Sequence, residues 1–157
     1  MHELIIYTAI LTIIAAATLF DLNRHIIPNQ LIIVGLALWI ILFVIGWLDG
    51  PEDMAAGVAA GSLLLGIRWL GEFFFSKKGM GMGDIKLLFL IGLYLGWQVF
   101  WFLYLAIIIG GLWALAGLVL KKLQRTSRIA FAPFLFVGMC LGLTLLPFHM
   151  IWQWWMR

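Results

Sequence analysis

The sequence predicts an all-α, polytopic membrane protein: a bundle of six transmembrane helices forming one domain over residues 1–157, with both termini on the outer side. Three observations point there. First, 65% of the residues are hydrophobic and 11% charged, whereas a soluble domain has roughly 45–50% apolar and about 25% charged residues. With a mean hydropathy of +1.12, there is too little polar surface to cover a water-soluble globule. Second, apolar stretches recur at about 4–21, 30–48, 54–73, 84–97, 98–120 and 129–150, most of them near the roughly 20 residues needed to cross a bilayer. Third, the segments between them alternate in charge.

The stretches must be helices, because lipid offers no partner for free backbone groups. The first could be mistaken for a signal peptide, and Ala15-Ala16-Ala17 resembles a cleavage site. It lacks the positive leading region such peptides carry, so it reads as a retained helix. Loop one then holds Arg24 and His25, and Pro28-Asn29 starts the second helix, since proline at a helix start is pre-set in φ. Loop two holds Asp49, Glu52 and Asp53 and no base, and loop three holds Lys77 and Lys78, with Lys86 just beyond. Loop four is almost absent, marked only by Gly96-Trp97-Gln98, and loop five carries Lys121, Lys122, Arg125 and Arg128. The positive-inside rule makes loops one, three and five cytoplasmic. Trp152, Trp154 and Trp155 then form an outer interfacial belt. The Gly57–Gly61 pair reads as a close helix contact, and Gly110 and Gly111 read likewise. Cys140, the single cysteine, makes no internal disulfide or zinc knuckle and reads as a small packing residue.

Two acids stand out against this background. Asp21 ends the first span and Asp84 begins the fourth, so both reach the same face at one depth. Topology alone does not make their helices touch. Asp84 fits the ordinary reading of an N-cap, but Asp21 would face the negative end of a helix dipole. Ionisable residues in the hydrocarbon are functional candidates. If the two converge, both cannot ionise cheaply and one keeps its proton. The ionised member can then take a proton from water while the other polarises a peptide carbonyl. This is aspartic proteolysis, with no metal, cofactor or nucleic-acid partner expected. Gly79, Gly81 and Gly83 would bare the approach to Asp84 for a substrate backbone, with Met82 only packing. A phosphate cradle would require Gly-Lys-Ser/Thr where this loop has Gly83-Asp84-Ile85-Lys86.

These residues resemble the GxGD-type aspartic proteases, specifically the bacterial type IV prepilin peptidase family. The matching segments are Asp21–Leu31 (DLNRHIIPNQL), Gly79–Leu88 (GMGMGDIKLL) continuing into Leu95–Gln98, and Ile129–Gly138 (IAFAPFLFVG). Ala130 and Ala132 stand where that family usually has Pro and Gly. The resemblance implies Asp21 and Asp84 as the catalytic pair. It also implies removal of a short basic leader from prepilin-like substrates at the cytoplasmic face of a prokaryotic inner membrane. Gly81, Gly83, Lys86, Pro28 and Asn29 would shape the site. Full-length members carry an N-terminal region with paired Cys-x-x-Cys motifs tied to N-methylation. This chain has one cysteine, so a minimal peptidase core without methyltransferase activity is expected.

Lys86 is either a snorkelling base or a partner keeping one carboxylate ionised. Glu72 could receive a basic leader but fits a solvated helix end better, and His25 reads as a solvated loop residue. The inner face is otherwise strongly basic, with Arg24, Arg68, Lys77, Lys78, Lys121 and Lys122 among its residues, which suits anionic lipid headgroups. The rival class is a small ion or proton carrier or channel subunit using the two aspartates as ligands. Carrier sites lie near mid-membrane, whereas these acids lie at the edge. A presenilin-like protease cutting within the bilayer fits less well, given Pro28-Asn29 and the Leu95–Gln98 stretch.

Overall fold

Helix α1 (His2–Arg24) does not stop at Asp21 but continues one turn further. Arg24, in that last turn, meets the negative end of the dipole with a positive charge. The computed structural model describes residues 2–24, 26–48, 50–75, 81–121 and 130–144. Pro28, extended at φ −62° and ψ 134°, is the N-cap of α2 (Asn29–Val44). That helix closes on Gly46, whose φ of +81° lies in the left-handed region. The Gly46 N–H donates to the Phe43 carbonyl at 2.9 Å and the Trp47 N–H to that of Leu42 at 3.1 Å, the paired bonds that satisfy a helix's last carbonyls.

Helix α3 spans Gly50–Phe75 and takes Glu52 and Asp53 into its first turn. Two of the acids assigned to loop two, Glu52 and Asp53, therefore lie at the positive end of a helix dipole, where they are stabilised. Helix α4 (Met82–Leu95), a 3-10 turn (Gly96–Gln98) and α5 (Val99–Val119) follow in direct succession, and α6 covers Ala132–Thr144. The break between α4 and α5 falls where Gly96-Trp97-Gln98 marked it. Gly96 adopts φ +55° there, and a Cβ on it would lie 2.7 Å from a carboxylate oxygen of Asp53.

Contacts between elements fix their relative directions. At one end of the bundle the Tyr7 hydroxyl donates to Gln98 Oε1 at 2.8 Å, beside the junction that Asp53 approaches. At the other end the Lys86 ammonium donates to Asn29 Oδ1 at 2.8 Å. Helix α2 lies parallel to α4, tied by the buried bonds Trp39 Nε1 to Leu93 O and Tyr94 Oη to Gly35 O, each 2.7 Å. Helices α3 and α4 run antiparallel and meet backbone to backbone: a Cβ on Gly92 would lie 2.6 Å from the Gly57 Cα. Gly61 faces Phe89, so the Gly57–Gly61 pair forms the close contact its spacing predicts. Gly110 is packed against Phe134, but Gly111 has open space before it, which corrects the joint reading of those two. Helix α4 is the centre of the molecule, with nearly every residue from Asp84 to Leu95 buried.

Among the described residues the protein is thus all-helical, and it is a multi-pass membrane protein, with large apolar side chains such as Leu4, Val44, Trp69 and Val119 facing outward. The described residues do not show all of the expected six crossings. Three segments among the described residues are long and apolar enough to span: Leu4–Arg24, Gly50–Leu70 and the 38-residue run Met82–Val119. Helix α2 has 16 residues, rising about 24 Å at ~1.5 Å each, short of a hydrocarbon core of about 30 Å. The described part of α6 has 13 residues. Lys77, Lys78, Gly79, Lys122, Arg125, Arg128, His25, Asp49, His149 and the three tryptophans assigned to the outer belt lie outside the described residues, as do Met1 and the C-terminus.

The α3–α4 crossing yields a direct test. Gly92→Ala should cost about 1–3 kcal/mol through overpacking against the Gly57 backbone. Gly66, on the same helix as Gly57, has nothing within 4 Å of a built Cβ, so Gly66→Ala should be neutral or stabilise by about 0.5–1 kcal/mol. Thermal unfolding of both variants in one detergent compares them; equal melting temperatures would refute the backbone contact.

Candidate active site

Asp21 and Asp84 are the charged residues buried among those described, at 6% and 9% exposure. Burial of a carboxyl group is costly unless donors satisfy it. Asp21 projects from the last turn of α1, and its Oδ2 accepts the backbone N–H of Ala132 at 3.1 Å. That amide is the first of α6, so an α1 side chain closes the start of a helix 111 residues further along the chain. Asp84 is not the N-cap of α4: Gly81 takes that place, extended at φ −69° and ψ 143°. Asp84 sits three residues later, in the first turn, and its carboxyl group accepts the Gly81 backbone N–H. This reach back from the third helical position to the cap amide is half of a capping box. Asp21 is close enough for its charge to act on Asp84. The structure therefore brings together two acids separated in sequence by two whole helices, α2 and α3.

The glycines before Asp84 have separate tasks. A Cβ on Gly81 would lie 3.2 Å from Asp84 Oδ2, so its bareness leaves room for the carboxyl group itself. Gly83 does not face an open approach. A Cβ there would lie 2.9 Å from the Cβ of Ile27, and its φ is outside the left-handed region. Ile27 is buried, just ahead of Pro28, so Gly83 packs α4 against the α1–α2 connection. Its assignment as a residue kept bare for substrate is corrected accordingly. Gly79 lies outside the described residues.

Around the acids, Lys86 points outward to Asn29 rather than to either carboxyl group, joining the first turns of α2 and α4 beside the Pro28 cap. Glu72 is engaged by Arg68 at 3.0 Å, and the Arg68 guanidinium also reaches Met82 Sδ at 3.6 Å. Two groups have no counterpart in the sequence reading. One is the Ala132 N–H, a backbone donor with no side chain to announce it. The other is Thr18, one turn before Asp21 on the same face of α1, whose buried hydroxyl has no hydrogen-bond partner among the described residues. A hydroxyl at i−3 from a buried acid was a visible signal in an otherwise apolar stretch.

Fold and site together define a helical membrane protein with two carboxyl groups paired at one end of its bundle. The chain belongs to the type IV leader peptidase family, whose profile matches residues 6–115. It is 30% identical to the prepilin leader peptidase/N-methyltransferase of Aeromonas salmonicida strain A449 over 80% of this chain and 44% of that protein. It is 33% identical to that of Pseudomonas putida, over 76% and 41% respectively, and 30% identical to that of Stutzerimonas stutzeri, over 78% and 43%. The chain spans under half the length of these relatives. No solved structure matches it.

The two glycines should separate on substitution. Gly83→Ala, pressed against the Ile27 Cβ, should lower stability by about 1–3 kcal/mol. Gly81→Ala meets only a carboxylate oxygen that can shift by a few tenths of an ångström. It should leave the melting temperature nearly unchanged while altering whatever the Asp84 carboxyl group does. Melting curves and peptidase assays on both variants make the comparison; a larger loss of stability from Gly81→Ala would reverse the assignment.

Proposed function

We propose that this chain is an aspartic endopeptidase that removes the short basic leader of type IV prepilin-like proteins, with Asp21 and Asp84 as its catalytic pair. The observation that carries the reading is the pairing itself: two buried carboxyl groups from α1 and α4, each held by a backbone amide at a helix start. Family membership supports the substrate class, since the relatives bear the name prepilin leader peptidase.

The reaction needs one carboxylate and one carboxylic acid. The carboxylate takes a proton from water as the water oxygen bonds to the scissile carbonyl carbon. The acid gives its proton to the carbonyl oxygen, producing a gem-diol. On collapse the first residue passes its proton to the leaving amine as the C–N bond breaks. One diol hydroxyl returns a proton to the second, which restores both residues. No metal or side-chain nucleophile enters this cycle.

The helix directions, read from their end contacts, support alternate crossings with the acids at the end where α1 finishes and α2, α4 and α6 begin, the end to which the sequence assigns loops one, three and five. Those loops hold most of the basic residues, so the positive-inside rule argues for a cytoplasm-facing site in the inner membrane and outward termini. Anionic headgroups suit that basic rim. Lys86, Asn29 and Pro28 shape the rim by holding the start of α2 against α4. The location at a bundle end, rather than halfway along it, weighs against a carrier.

Asp21→Asn and Asp84→Asn each keep an oxygen that can accept the neighbouring amide. Both variants should therefore fold and insert while cleavage of a prepilin substrate falls by about 10³-fold or more. Near-wild-type cleavage by either would remove the two-aspartate mechanism.

A further inference from the structure

We infer that the start of α6 is a positioning element for catalysis, in which the Ala132 amide holds Asp21 Oδ2 and leaves Oδ1 as the oxygen that receives the proton of water. This rests on the two-aspartate reading above and adds to it a third participant, a backbone group from a different helix.

The argument begins with the amides at that helix start. The carbonyl of Phe131 accepts the N–H groups of Phe134 at 3.0 Å and Leu135 at 3.2 Å, which makes Phe131 the cap and Ala132 the first helical residue. Pro133, next in line, has no N–H to give. Of the first three helical positions, only Ala132 therefore has a donor free to point away from its own helix. Ala132 is fully buried, so water cannot satisfy that donor and Asp21 does. The bond is reciprocal in effect: the carboxyl group closes α6, and α6 fixes the carboxyl group.

Geometry makes this contact firm. Helix α6 is held to α5 by close backbone approach, since a Cβ on Gly138 would lie 2.9 Å from the Ala106 nitrogen and 3.0 Å from the Phe102 carbonyl oxygen. Ala17, on the α1 face that includes Asp21 one turn on, is fully buried as well. The amide thus comes from a packed element, not from a free loop. A carboxyl group with one oxygen pinned in this way has little rotational freedom, and the other oxygen is presented in one direction. Positioning of that kind acts on the chemical step more than on substrate affinity.

Proline is the discriminating substitution, because it is well tolerated at the first helical position and deletes the N–H. Ala132→Pro should melt within a few degrees of wild type and lower kcat at least about tenfold with KM unchanged. Ala132→Gly, which restores the amide at the same place, is the conservative rescue and should recover most of kcat. Four outcomes would overturn the inference: normal turnover by Ala132→Pro, a rise in KM with kcat unchanged, an equal loss in Ala132→Gly, or no change in amide exchange in the measurement that follows. Should Ala132→Pro not fold, hydrogen exchange of the peptide spanning residues 131–135 decides. Asp21→Ala should speed its exchange relative to wild type, and unchanged protection would refute the contact. The two readings fail separately. An active Asp21→Asn enzyme would sink the two-aspartate mechanism, whereas an inactive one alongside a fully active Ala132→Pro would sink only the role of α6.

Discussion

A carboxyl group withdrawn from water must be given donors by the protein, and in a lipid-facing helical bundle nearly every backbone donor is already spent inside a helix. The free ones are the first amides of each helix. Both buried aspartates use them: Asp84 takes the cap amide of its own helix, and Asp21 takes the first amide of α6. Much of the architecture follows. Helix α6 has to begin beside the last turn of α1, and α4 has to begin with a residue small enough to leave its own aspartate room, which is the place of Gly81. An acid at the negative end of α1 is tolerable because it sits at the positive end of another helix.

The close crossing of α3 and α4 is the second constraint. Without side chains at Gly57 and Gly92 the two backbones come together, and α4 is then enclosed by α2, α3 and the helices beyond. Trp39 and Tyr94 spend their polar atoms on carbonyls of the facing helix, so the enclosure leaves neither ring with an unpaired group. A helix held on every side is a rigid mount for Asp84.

The two acids were legible because charge in an apolar stretch has few bland explanations, and the loop signs placed them at one end. The break at Gly96–Gln98 and the start of α2 after Pro28 were legible for the same kind of reason, a local signal with one physical meaning. The glycines before Asp84 show the limit. Their pattern announces bare backbone, but not what approaches it, and Gly83 turned out to face Ile27. Asp84 looked like a cap because an acid at a helix start usually is one, yet Gly81 holds that place. The Ala132 amide could not be read at all, since a backbone donor has no letter in the sequence and its partner lies in another helix. Helix lengths also escaped hydropathy: α2 is apolar from Leu31 to Val44, but a glycine turn stops it early.

The separation of Asp21 from the amide that holds it has a meaning for how the protein is made. A ribosome adding about 5–20 residues per second needs roughly 6 to 22 s to travel the 111 residues between them. During that interval α1 has already left the translation machinery, and its carboxyl group has no α6 to lean on. Until then the acid must draw its donors from water at the membrane surface. The Asp21 contact is therefore completed only once α6 has been made, and a shorter nascent chain carries its two aspartates without it.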